Sequence, residues 1–285
     1  MKSNASGLGY AELIITSIIW GVTYVLLKYA LSYLDPQQIA FSRFLVSSIL
    51  FIPVIFLIKE RYTRVEIVRL VLLALTGVLL YQLLFIWGEK GLTAGDASFI
   101  VSLEPIFIAI LGVVTREDRM TPMRLLGLVI ATAGLIVLLR PTNVTSYEIF
   151  SAILVLLSAF SWAVYTVWGK NILSKHNPMN VTGYVSIFGT LMLFPFVYSG
   201  LGKLFSIRAP FLIISLVFLG IFATFIGYYL WFDGLKKVNP IRAGSTLYIT
   251  PFVTVVAASY IISEPIEYVT LAGGALIVAG LIVGR

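Results

Sequence analysis

Ala133-Gly134-Leu135-Ile136-Val137 occurs a second time, letter for letter, as Ala279-Gly280-Leu281-Ile282-Val283. The run closes a longer repetition. Trp20, Lys28, Pro36 and Pro53 return 142 residues later as Trp162, Lys170, Pro178 and Pro195. The register then slips by one, so that Gly77, Gly91 and Leu92 return as Gly220, Gly234 and Leu235. It slips by three more before Pro105 returns as Pro251. Two halves of one chain therefore spell one unit twice, residues 1–143 and 144–285, joined in one membrane domain.

Composition says what solvates that unit. Hydrophobic residues are 59% of the 285 and charged residues 12%, and the mean hydropathy is +1.00. A soluble domain is about half apolar and a quarter charged, so the solvent here is the lipid bilayer. The net charge of +7 does not gather on a soluble face, and no nucleic-acid partner is expected. Absence of cysteine excludes a disulfide framework and thiolate chemistry. The one histidine, His176, lies in the polar loop Ser174 to Asn177 and reads as a solvated loop residue, because no second metal ligand accompanies it. No metal and no cofactor are expected. The first apolar run, from about Tyr10 to Leu31, is too long for the core of a signal peptide, and its repeat partner lies mid-chain, so it stays in the mature protein.

Apolar stretches of 17 to 23 residues cover 10–31, 37–58, 67–88, 97–114, 123–139, 148–170, 179–199, 211–233, 243–262 and 268–284. The expected fold is an all-α integral membrane protein of ten transmembrane helices, five per half. An odd number per half makes the second half enter from the opposite face, so the repeats are inverted. Loop charge orients them. The side of the N-terminus carries Lys2, Lys59, Arg61, Arg64, Arg69, Arg116, Arg119, Arg124, Lys175, Lys236, Lys237, Arg242 and Arg285, against Lys90, Arg140, Lys203 and Arg208 opposite. Thirteen against four places both termini in the cytoplasm of a multi-pass plasma-membrane protein.

Trp20-Gly21-Val22-Thr23-Tyr24, the pair Arg43-Phe44, the prolines of the fourth and ninth spans, Glu117 and Glu264 at the turns that follow them, and glycines in the fifth and tenth spans form one pattern. On these features the chain resembles the drug/metabolite transporter superfamily in its ten-helix, EamA-type branch. The resemblance covers nearly the whole chain. It implies a ten-helix fold and export of amino acids, metabolites or toxic compounds.

The residues point to a site as well. Glu104 lies seven residues past Ala97, about 10 Å down its span at 1.5 Å per residue. Its neighbour Pro105, like Pro251 in the second half, removes a backbone donor and breaks the helix beside a cavity. Arg43 lies seven residues past Pro36, at a similar depth, so it is expected to pair with Glu104. The pair reads either as a permanent structural salt bridge or as a binding and proton-coupling element. Its counterparts, Val185 and Thr250, are uncharged, which favours function.

Lys28 and Lys170 end the stripes Trp20-Tyr24-Lys28 and Trp162-Thr166-Lys170. They read as lysines snorkelling to the interface, or as gates with Glu89 and Asp233 as ionic partners. Tyr24, Tyr81, Gln82, Trp162, Tyr165, Tyr228 and Tyr248 are candidate cavity residues, with Trp87 and Trp231 on the same spans. Gly127, Ala131 and Gly134, and Gly280 with Gly284, make small-residue stripes suited to scaffold packing or to a homodimer through the fifth and tenth helices.

The functions compete on this basis. A secondary transporter of small organic solutes, working by alternating access, fits best, with protons as a candidate coupling ion. A nucleotide-sugar or sugar-phosphate exchanger needs several intramembrane Lys or Arg residues. A membrane-embedded enzyme needs a nucleophile–base pair or a metal cluster, and the sequence holds no HExxH, GxSxG or P-loop.

Overall fold

The computed structural model of the chain describes residues 2–114, 121–138, 145–238 and 240–283. Arg116, Glu117, Arg119, Arg140, Asn143, Gly284 and Arg285 lie outside the described residues, as does the junction at 143/144. The described residues are helical almost throughout. We label the long helices α1 (Lys2–Ala30), α2 (Pro36–Ile58), α3 (Arg64–Lys90), α4 (Ala94–Gly112), α5 (Pro122–Leu138), α6 (Ser146–Leu173), α7 (Pro178–Val197), α8 (Pro210–Lys237), α9 (Arg242–Ile261) and α10 (Tyr268–Val283). Eight of these are long and apolar enough to cross a membrane, while α5 and α10 are apolar but shorter. Their outward faces are apolar: Phe56 and Leu57 are 72% and 82% exposed, which suits lipid rather than water.

Helix starts are set by caps, which is why several begin before their apolar run. Thr63 and Glu66 form a capping box, with Glu66 Oε2 accepting from Thr63 N at 2.9 Å. Thr145 and Glu148 repeat it at α6. Proline stands first in α2 and α7, where its missing N–H costs nothing.

Packing pairs α2 with α7, α5 with α10, α3 with α6, and α1 with α8. Two of these pairs, α2 with α7 and α5 with α10, join equivalent helices, and residues meet their own repeat partners between α2 and α7 and between α1 and α6. Ser48 Oγ lies 2.8 Å from Thr190 Oγ1, and the rings of Trp20 and Trp162 pack edge-to-face at 5.2 Å. A Cβ on Gly134 would sit 2.6 Å from Ile277 N, and one on Gly280 would sit 2.5 Å from Ala131 N. The glycine stripes thus bring α5 and α10 together within the chain.

Candidate functional site

Both third helices of the repeat widen in mid-course. Leu75–Leu80 in α3 and Leu219–Ile226 in α8 are π-helical turns. Such turns loosen the ladder, and carbonyls there accept bonds from other helices. Thr76 O accepts from Ser161 Oγ at 2.8 Å, Gly77 O from Tyr228 OH at 3.2 Å, and Ala223 O from Trp20 Nε1 at 2.9 Å. The fourth and ninth helices break beside them. In α4 the α-helix lapses after Val101 and resumes at Glu104, next to Pro105. In α9 a 3-10 stretch, Leu247–Ile249, precedes Thr250 and Pro251.

These four irregularities surround a narrow cavity of about 30 Å³. Its wall is aromatic: Trp20 and Tyr24 from α1, Tyr81 and Phe85 from α3, Trp162 from α6 and Tyr228 from α8. Trp162 and Tyr228 meet edge-to-face at 5.3 Å, the arrangement favoured by ring quadrupoles. Polar groups enter from α1 (Thr23), α2 (Arg43), α3 (Gln82), α4 (Ser98, Ser102 and Glu104) and α9 (Thr250). Of the sequence candidates, the cavity brings together Tyr24, Arg43, Tyr81, Gln82, Glu104, Trp162 and Tyr228.

Tyr165 and Tyr248 do not line it. Tyr165 points behind the wall and stacks on Phe232 at 4.8 Å, and Leu247 and Thr250 face the cavity in place of Tyr248. Trp231 is buried among Trp20 and Trp162, outside the lining. Trp87 is exposed, with Lys90 Nζ 5.5 Å from its ring centre. Trp20, Thr23, Phe85, Ser98, Ser102 and Thr250 went unselected; for Trp20 and Thr250 the signal was present in their repeat partners, Trp162 and Glu104.

Arg43 and Glu104, each 2% exposed, do not form the expected ion pair. Arg43 Nε donates to Thr224 Oγ1 at 2.8 Å, and its Nη1 donates to Gln82 Oε1 at 3.2 Å. Gln82 Nε2 passes the chain on to Tyr228 OH at 2.8 Å. The widened turn of α8 brings Thr224 within reach, so neutral partners take the guanidinium. Glu104 Oε1 is left buried with no hydrogen-bond partner, and so is Trp162 Nε1. Unpaired polar atoms of this kind each cost about 1–3 kcal/mol.

Neither lysine pairs with its expected carboxylate, Glu89 or Asp233. Lys28 Nζ donates to the carbonyls of Glu89 (3.2 Å), Lys90 (3.3 Å) and Leu92, which close α3. Lys170 Nζ donates to Leu235 (2.5 Å), Lys236 (3.3 Å) and Val238 (2.7 Å), which close α8. Each cation neutralises the negative end of a helix and satisfies its last carbonyls. Asp233 bonds Lys237 at 2.7 Å rather than Lys170, and Lys237 also bonds Glu12. Glu89 is fully buried, and both its carboxylate oxygens lack hydrogen-bond partners.

His176 is not a solvated loop residue. It is 9% exposed, with Nδ1 3.2 Å from Glu60 Oε2 and Nε2 3.3 Å from Glu66 Oε1. Its ring stacks on Tyr62 at 4.2 Å. The α2–α3 and α6–α7 connections are clasped through it. Burial and the neighbouring Glu60 carboxylate push the Tyr62 hydroxyl above the usual tyrosine range. Among the described residues no group of three or more His, Asp or Glu could hold a metal ion.

The profile of the EamA-like transporter family matches this chain twice, over residues 7–140 and 149–283. The chain belongs to that family. An uncharacterized transporter of Archaeoglobus fulgidus is 34% identical over 269 residues, covering 94% of this chain and 95% of the relative. A Salmonella typhimurium protein named as a probable amino-acid metabolite efflux pump is 27% identical over 285 residues, covering 96% and 93%. A Streptantibioticus cattleyicolor protein named as a probable terminal-alkyne amino-acid exporter is 27% identical over 270 residues, covering 94% and 90%. A solved crystal structure, 18% identical, superposes with a TM-score of 0.70 over 99% of this chain and 96% of its own, which shows a shared fold. This EamA-type chain is a multi-pass membrane transporter and not an enzyme.

Proposed function

We propose that the chain is a secondary transporter of the plasma membrane that exports small amphipathic solutes of the amino-acid class by alternating access. In this reading α1 to α10 all cross the bilayer as two inverted repeats, with both termini in the cytoplasm. The meetings of Ser48 with Thr190 and of Trp20 with Trp162 support a two-fold relation between the halves, and an odd number of spans per half makes that relation an inversion.

The observation that carries the substrate reading is the cavity itself: aromatic walls around a carboxylate with no partner, Glu104, and a guanidinium, Arg43. A solute with an apolar side chain and an ammonium group satisfies Glu104, while its carboxylate suits Arg43 and the free indole N–H of Trp162. The names of the Salmonella and Streptantibioticus relatives support the same class. Among the described residues Arg43 is the one Lys or Arg in the cavity lining, too few to clamp a phosphate. Protons serve as the coupling ion, exchanged at Glu104 against the substrate ammonium.

Proteoliposomes given labelled L-phenylalanine and an opposing proton gradient test this. Saturable, gradient-dependent movement is expected, reduced about a hundredfold in Glu104→Gln. Saturable movement of sugar phosphates with none of phenylalanine would contradict it.

A further inference from the structure

Glu89 closes α3, at the end of the bundle opposite the N-terminus. Its side chain is 0% exposed and neither oxygen has a hydrogen-bond partner. The nearest cation does not relieve it. Lys28 has three N–H groups, and three backbone carbonyls take them. An ionised carboxylate without a donor costs several kcal/mol in such a place, whereas the neutral acid costs far less. The groups whose charges reach Glu89 are Lys28 from α1, Arg43 from α2 and Glu264 from the α9–α10 connection. Tyr24, which lines the cavity with Glu104, packs its ring on Phe85 at 5.1 Å, one helical turn before Glu89 on α3.

The second half of the chain supplies an internal control. Glu89 stands two residues before Gly91, as Phe232 stands two before Gly234. Phe232 is fully buried, and Lys170 caps the end of α8 beside it in the same way. The fold therefore accepts an apolar residue at this position, and a carboxyl group is not needed to hold the lysine. Five residues past Glu89, Ala94 N donates to Glu264 Oε2 at 3.3 Å, and Glu264 borders a small surface pocket of about 40 Å³. Burial holds the Glu264 carboxyl above the usual carboxylate range.

We propose that Glu89 is a second proton-binding site, which holds a proton behind the cavity wall and passes it between Glu104 and the outer mouth at Glu264. The step is a proton transfer from one carboxyl group to the next, by way of the Tyr24 hydroxyl or water, with no other bond made or broken. The passing rests on the transport reading given above, whereas the holding of a proton rests on the geometry of Glu89 alone.

Two measurements on purified full-length protein test it. Infrared spectroscopy at neutral pH reads the C=O stretch of protonated carboxyl groups. Glu89→Gln is expected to melt like the wild type and to lose one component of that band, and an unchanged band would overturn the proposal. If the glutamine variant does not fold, Glu89→Phe, copied from the second half, replaces it. In proteoliposomes loaded with a pH-sensitive dye, phenylalanine-linked proton movement should fall about a hundredfold in Glu89→Gln, with phenylalanine affinity retained. Proton movement at the wild-type rate in the variant would overturn the proposal. Wild-type liposomes that move neither phenylalanine nor protons would instead defeat the transport reading, and the infrared band would still decide whether Glu89 holds a proton.

Discussion

The two halves of this chain share their scaffold and differ in their charges. Lys28 and Lys170 each close the end of a third helix, and Trp20 and Trp162 each stand in the cavity wall. Leu75–Leu80 and Leu219–Ile226 each widen a third helix beside the cavity. Against that shared frame, Arg43, Glu89 and Glu104 in the first half face Val185, Phe232 and Thr250 in the second. A demand of folding acts on both copies, so what is present once answers to something else. A ligand with unlike ends, or an ion moving one way, is such a demand. Burying these groups without ion partners costs stability, and the second half shows that the fold stands without them.

This contrast can be broken from the scaffold side. Gly134→Leu and Gly280→Leu each push a side chain into the facing backbone at about 2.6 Å or less. Both should destabilise strongly, by about 3 kcal/mol or more, and to a similar extent, read as loss of melting temperature in detergent. A large inequality between them would mean that the halves do not share their scaffold.

A smaller effect sharpens the same point. Lys28→Met and Lys170→Met each remove a cap from a helix end, at a cost of about 1–2 kcal/mol. Equal costs are expected in melting experiments. A Lys28→Met protein that melts like the wild type but no longer transports would make the lysine a gate rather than a cap.

Much of this was legible in the sequence. Apart from α1, which begins at Lys2 rather than near Tyr10, the apolar runs located the helices within a few residues. The misplaced starts trace to capping turns such as Thr63 to Glu66, which are polar and so fall outside an apolar run. Depth along a helix was legible too, and it put Arg43 and Glu104 into one cavity. Direction around the helix was not. Two residues at one depth can still point to different neighbours, and Thr224 claims Arg43 because α8 widens at a turn that no spacing rule reports. The same gap placed Tyr165 and Tyr248 in the cavity when they lie outside it. His176 was misread because its partners, Glu60 and Glu66, belong to a loop and helix start more than a hundred residues away.

The central claim is that the cavity's charges serve a ligand rather than the fold, and melting with and without L-phenylalanine tests it most directly. At about a hundred times its Kd a ligand stabilises its protein by about 2.7 kcal/mol, so the wild type should melt several degrees higher with phenylalanine present. Glu104→Gln is expected to melt at or above the wild-type temperature without ligand and to lose the phenylalanine-dependent rise. A Glu104→Gln protein that melts several degrees lower than the wild type and keeps the full rise would contradict the account.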